Sequence, residues 1–131
     1  MNPLVALGLF FGSWQGLVYL GEISDRQAKY RAAQTFARDR DKPLLVIGGP
    51  FGSPINRLLH TPAHGFGDIC MDLDPASCTD APETKIADMR TIPYRDKYFG
   101  AAFCSHVLEH LPTVEDAARG LAELHRVADA V

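Results

Sequence analysis

From Asn2 to Gly21 the chain carries no charged side chain, reading NPLVALGLFFGSWQGLVYLG. A stretch of about twenty such residues is long enough to cross the hydrocarbon core of a bilayer as a helix. Trp14 and Tyr19 are aromatics of the kind favoured near membrane interfaces. No Lys or Arg precedes the run and no small-x-small cleavage site follows it, so an anchor fits better than a cleaved signal peptide. Charge then returns at once, with Arg26, Lys29, Arg31, Arg38, Arg40 and Lys42 against Glu22, Asp25, Asp39 and Asp41. A basic flank on the C-terminal side predicts a single-pass membrane protein with the rest of the chain in the cytoplasm. The alternative is a buried or interfacial apolar helix in a soluble assembly. Gly8, Gly12 and Gly16 fall four apart on one helical face, a spacing that lets a second transmembrane helix approach closely.

The totals narrow the partners. With 131 residues, a net charge of −3 and 22% charged residues, the chain has room for one small domain and an appendage. It lacks the basic excess that a nucleic-acid partner demands. Cys70, Cys78 and Cys104 form an odd, widely spaced set without a C-x-x-C. The simplest expectation is reduced cytosolic thiols, with neither a disulfide framework nor a structural zinc site.

Three regions follow: an anchor over 1–22, a helical connector over 23–42 and a soluble domain over 43–131. Ser24 to Gln27 has the S-x-x-Q form of a capping box, predicting a new helix at Ser24, with Ala28, Ala32, Ala33, Phe36 and Ala37 on one stripe. Pro43 closes a polar stretch, and PLLVIGG then reads as a buried strand. Ser53-Pro54 supplies a helix cap followed by proline in the first turn. GDICMDLDP, ETKIADM and YFGAAFCS read as three further strands. VEDAARGLAELHRVA is an amphipathic helix with Ala117, Leu121, Leu124 and Val127 near one face. Strands alternating with helices predict an α/β fold with a parallel sheet, in which ligands bind beyond the carboxyl ends of the strands. The residues at those ends are Gly48 and Gly49, Asp72, Asp88, and Ser105 with His106. A glycine turn permits close backbone approach, and an acid after the second strand can accept both hydroxyls of a ribose.

Taken together, LLVIGGPFGS, MDLDP, IPYRDKYFG, SHVLEHL and ELHRV resemble the class I S-adenosylmethionine-dependent methyltransferases over roughly residues 43–128. The resemblance implies a Rossmann-like sheet and S-adenosylmethionine as cofactor. It matches Gly48, Gly49 and Gly52 to the cofactor loop, Asp72 to the ribose, Asp88 to the adenine, and Ser105 and His106 to the methionine end. The sequence departs from the family pattern at Val46, where an acid is usual, at Pro50, where a glycine is usual, and at Gly100, where an aspartate is usual. The family also continues for three more strands, so a truncated sheet is expected, with AAFCS left as an apolar edge that a partner subunit or a second copy would cover.

HVLEH at 106–110 also satisfies H-x-x-E-H, an inverted zinc-protease signature in which His106 and His110 would share a helical face. The longer methyltransferase match explains the same letters, so no metal site is assigned. His60, His64 and His125 stand isolated, with surface or capping roles expected, and Cys70 and Cys104 read as core thiols. Two functions are compatible with these features. One is a membrane-anchored methyltransferase acting on a small or lipid-like acceptor, with no catalytic residue assigned. The other is a non-catalytic methyltransferase-like subunit of a membrane complex.

Overall fold

The computed structural model describes residues 1–51 and 54–131; Gly52 and Ser53, and with them the expected loop glycine and helix cap, lie outside the described residues. The first element is a single helix, α1 (Pro3–Asp39). Asn2 caps it by accepting the Leu4 N–H at 2.9 Å, with proline in the first turn, where a missing N–H costs nothing. The helix passes through Ser24 without a break, so no second helix begins there. A capping box acts only where backbone N–H groups lack partners, and inside a continuous helix they already have them. The turn closes on Arg40 and on Asp41, whose φ of 52° is left-handed, and the Arg40 and Lys42 N–H groups both reach the Ala37 carbonyl.

Four strands match the expected segments: β1 (Leu44–Ile47), β2 (Ile69–Asp72), β3 (Glu83–Ile86) and β4 (Phe99–Cys104). A short α2 (Pro54–Leu58) follows β1, and α3 (Val114–Val127) follows β4. A fifth strand, β5 (Ala128–Ala130), follows α3 directly. All pairings are parallel, in the order β3-β2-β1-β4-β5. β1 sits at the centre and all four of its residues are buried, as a strand covered on both faces must be.

Alternation along β1 divides the core. Leu45 and Ile47 face α3, packing with Ile69, Met71, Phe99, Leu124 and Val127. Leu44 and Val46 face α1, packing with Ala101, Phe103 and Ala37, and with half-buried Tyr30, Ala33 and Phe36. Of the expected stripe, Ala33, Phe36 and Ala37 face inward, joined by Ile23, Arg26 and Tyr30, while Ala28 and Ala32 are exposed. On α3 the buried residues are Gly120, Leu124 and Val127, while Leu121 is 40% exposed. The α3 helix is fastened to the loop before β4 by Arg126, whose guanidinium donates to the carbonyls of Ile92 (2.8 Å) and Tyr94 (2.9 Å) and to Asp96 and Glu123.

Two expectations need correction, and one departure from the family pattern gains its reason. The β4 edge is not bare, because β5 pairs with it at Phe99↔Ala128 and Ala101↔Ala130. The new edge is short, and its outward Asp129 pairs with Lys42 at 2.7 Å, the sort of charged short edge that resists further pairing. The usual family aspartate is Gly100 because α1 lies flush there: a Cβ at Gly100 would sit 2.6 Å from the Ala37 Cα. Finally, Cys70 and Cys78 form a disulfide with Cα atoms 5.7 Å apart, both fully buried. Their spacing in sequence hides the pair. The chain leaves β2, turns through a 3₁₀ segment at Pro75–Cys78 and comes back beside the strand.

Candidate cofactor site

The turn after β1 is built tightly. Gly48 has φ +81°, a region other residues avoid, and its N–H donates to the Met71 carbonyl at 2.9 Å. A Cβ at Gly48 would meet Val107 Cγ2 at 2.5 Å, and one at Gly49 would meet the Ser77 carbonyl oxygen at 2.5 Å. The two glycines are therefore demanded by the chain's own packing. Pro50 is buried, and its carbonyl accepts the Ala63 N–H at 2.8 Å, which ties Ala63 back to the end of β1. The loop has exchanged one N–H donor for a packed ring.

Asp72, the last residue of β2, holds the turn from the other side. One carboxylate oxygen accepts the Gly49 N–H at 3.1 Å, and the other accepts the Asp74 N–H at 2.9 Å. A carboxylate has about four acceptor positions, so two remain for a ligand. The carboxylate borders a cavity of about 770 Å³ at the carboxyl end of the sheet. That volume lies within the range of small-molecule sites.

The opposite wall comes from the segment after β4 and from α1. Ser105, His106, Val107 and Glu109 line it, with Tyr19, Glu22, Ile23 and Arg26 of α1. His106 holds φ 57°, uncommon for a residue with a side chain. Its Nδ1 lies 2.9 Å from Glu109 Oε1, and its Nε2 lies 2.6 Å from an Arg26 terminal nitrogen. A guanidinium only donates, so Nε2 accepts and the ring hydrogen sits on Nδ1, directed at Glu109. The backbone N–H of its own residue, and then His106, hold the Glu109 carboxyl below the ordinary range. The 106–110 segment contains only a 3₁₀ turn at Leu108–His110, so His106 and His110 do not share the α-helical face of a zinc signature.

His64, expected at the surface, is buried instead. Its ring meets Phe103 at 4.8 Å and Tyr30 at 5.9 Å, and its Nδ1 lies 2.8 Å from the Gly65 carbonyl. Burial is the main cause of its lowered pKa, partly offset by that hydrogen bond, and the Arg26 charge lowers it further. Nearby, burial pushes the Cys104 thiol up to about 11, with Glu109 adding to the effect.

The structure thus gathers Gly48, Gly49, Asp72, Ser105 and His106 around one cavity. Asp88 is not among the residues lining it. Its carboxylate is engaged by the Arg90 side chain and backbone N–H, which hold it below the usual range, and Arg90 reaches on to Asp116 at 3.1 Å. Sequence reasoning missed Arg26, His64 and Ser77. A retrospective signal exists for Arg26 alone: it falls in register with Ile23, Tyr30, Ala33 and Ala37, on the face that packs inward.

A parallel sheet with a glycine turn after its central strand and an acid closing the next strand defines a Rossmann-like domain of the type that binds adenosine-bearing cofactors. A family model described as a methyltransferase domain matches residues 48–130, and the chain belongs to the class I S-adenosylmethionine-dependent methyltransferases. No curated protein and no solved structure matches it.

Proposed function

We propose that this chain is a membrane-anchored methyltransferase that uses S-adenosylmethionine to methylate a small or lipid-like acceptor. The observation that carries the reading is the cavity itself. An acid oriented by two backbone N–H groups faces, across one space, the only guanidinium among the described lining residues. That donor set fits the cofactor. Asp72 retains acceptor positions for ribose hydroxyls, and the Arg26 guanidinium, held in place by His106, offers its remaining N–H donors to an amino-acid carboxylate. The bound cofactor would supply an electrophilic methyl group on its sulfonium. The chain's part is positioning: the Gly48–Gly49 backbone fixes the adenosine end, while Ile23, Leu73, Val107 and Leu111 line the space with apolar surface that excludes water. For α1, its length, its composition and its exposure up to Gly21 support the anchor. The basic flank supports a cytoplasmic domain, and complete burial of the Cys70–Cys78 pair shields it from cytosolic thiols there. Gly8, Gly12 and Gly16 have nothing within 4 Å of an added Cβ, which leaves that face open to a second transmembrane helix.

A second reading, a non-catalytic subunit, is favoured by Pro50 and by the use of both Asp72 oxygens inside the fold. Titration calorimetry of the detergent-solubilised chain with S-adenosylmethionine separates the two. Saturable binding, weakened at least about tenfold by Asp72→Asn in a variant that keeps its thermal transition, supports the enzyme. An absence of heat at millimolar cofactor rules it out in favour of the subunit.

A further inference from the structure

The direction of α1 relative to the sheet carries an inference about where the cavity opens. Ala37 lies against Gly100, the Tyr30 ring lies 5.6 Å from Phe103, and Arg26 meets His106. The helix is therefore antiparallel to β4, and its N-terminal half leaves the domain at the carboxyl end of the strands, where the cavity is. Arg26 lines the cavity, and Gly21, where the uncharged stretch ends, lies five residues further along α1. At about 1.5 Å per residue that is a rise of about 7–8 Å. The headgroup layer on each side of the hydrocarbon is about 5–8 Å deep.

Exposed aliphatic side chains are sorted the same way. Outside α1, the large exposed hydrophobics are Ile55, Leu58, Leu59, Leu73, Ile86, Val114, Leu121 and Val131. The first six sit on α2 or directly after it, at or just beyond the carboxyl ends of strands, or at the start of α3. Leu58 is 80% exposed, and Leu73 borders the cavity. The opposite end of the domain presents Asp39 to Lys42, Asp68 and Arg95 to Lys97. The apolar side chains at the carboxyl end stand beside the apolar span, with Arg57, Asp74, Glu109 and Glu115 exposed among them, a mixture that matches the headgroup interface of a bilayer.

We propose that the carboxyl end of the sheet rests on the bilayer that α1 crosses, with the Ile55–Leu59 lobe seated in the interface. The cavity then opens toward lipid, and its acceptor is a membrane-resident amphiphile presenting its polar head at the level of Asp72 and His106. The proposal rests on the reading of α1 as a membrane span.

Trp14 is the only tryptophan, so both readings have a native probe. The full chain is reconstituted in phosphatidylcholine–phosphatidylglycerol vesicles, with and without lipid brominated on the acyl chain, in separate samples near the glycerol end for positions 58 and 125 and at mid-chain for position 14. Wild type reports the span. Trp14→Phe with Leu58→Trp reports the lobe, and Trp14→Phe with His125→Trp reports the far pole. The expected result is at least a twofold loss of emission at positions 14 and 58, and none at position 125. Quenching at 14 with none at 58 overturns the proposal while leaving the span intact, and returns the apolar face to a protein partner. No quenching at 14 or at 58 overturns both readings. Quenching at 58 and 125 alike also overturns the proposal, since the contact would then lack orientation.

Discussion

Replacing Gly100 with alanine tests how α1 is joined to the sheet. The added Cβ would lie 2.6 Å from the Ala37 Cα and 3.1 Å from its Cβ and carbonyl oxygen. Ordinary carbon–carbon contact needs about 3.5–4.0 Å, so the helix must withdraw by about 1 Å. A gap of that size forfeits about a quarter to a half of the dispersion well for each contact it opens. The contacts at stake join Tyr30, Ala33 and Phe36 to Leu44, Val46, Ala101 and Phe103. Overpacking of this kind costs about 1–3 kcal/mol. Restricting the unfolded chain returns about 0.4–1 kcal/mol, for a mid-range net loss of about 1.3 kcal/mol. In a domain of this size the thermal midpoint in detergent should fall by about 3–8 °C. Gly12→Ala is the control, because nothing lies within 4 Å of its Cβ and alanine favours helix. A Gly100→Ala midpoint equal to or above wild type would refute the close helix–sheet contact. Because Arg26 and Tyr19 line the cavity from the same helix, cofactor affinity should weaken in parallel.

Other outcomes follow from single groups. Because burial lowers the His64 pKa, its unfolded form binds a proton first on acidification. Its contribution is complete above the ordinary imidazole value of about 6.5 and declines as pH falls below it, at up to about 1.4 kcal/mol per pH unit. Urea midpoints across that window should fall more steeply for wild type than for His64→Gln, and parallel slopes would contradict the buried placement. The Cys70–Cys78 bridge spans a separation of 8 residues. Closing so short a loop is worth about 2.5 kcal/mol in the chain-entropy account, so chain unfolded in dithiothreitol, which gains two hydrogens in intact mass, should refold to a lower midpoint than the oxidised chain. With its thiol pushed up to about 11, Cys104 should be thiolate in only about one molecule in ten thousand at pH 7. Iodoacetamide should therefore spare it in the native chain and label it in urea; rapid native labelling would count against its half-buried position.

Much of the fold was legible because its signals are local. PLLVIGG, GDICMD and YFGAAFC each announce a strand by apolar run and boundary, and the strands fall there. The α3 stripe was legible in period but not in detail. Gly120 rather than Leu121 is buried, pressed against Met89, whose Cε would lie 2.9 Å from an added Cβ. The capping box at Ser24 misled, since a local cap is silent when the helix on both sides is already hydrogen-bonded. The resemblance pointed to Gly48, Gly49, Asp72, Ser105 and His106, which the structure places around one cavity. It also pointed to Asp88, which Arg90 engages away from the cavity lining.

What the sequence by itself determined was the segregation of an uncharged helix from an alternating α/β domain, the strand order of events along the chain, and the family. Each of these is written in neighbouring residues, by hydropathy, period and turn chemistry. Tertiary structure alone decided that α1 runs antiparallel to β4 and supplies Arg26 to the cavity, that Cys78 returns to Cys70, that His64 is buried between Tyr30 and Phe103, and that β5 closes the edge. Each of those depends on which distant segments share space. Only the packing of one helix face against one sheet face settles that.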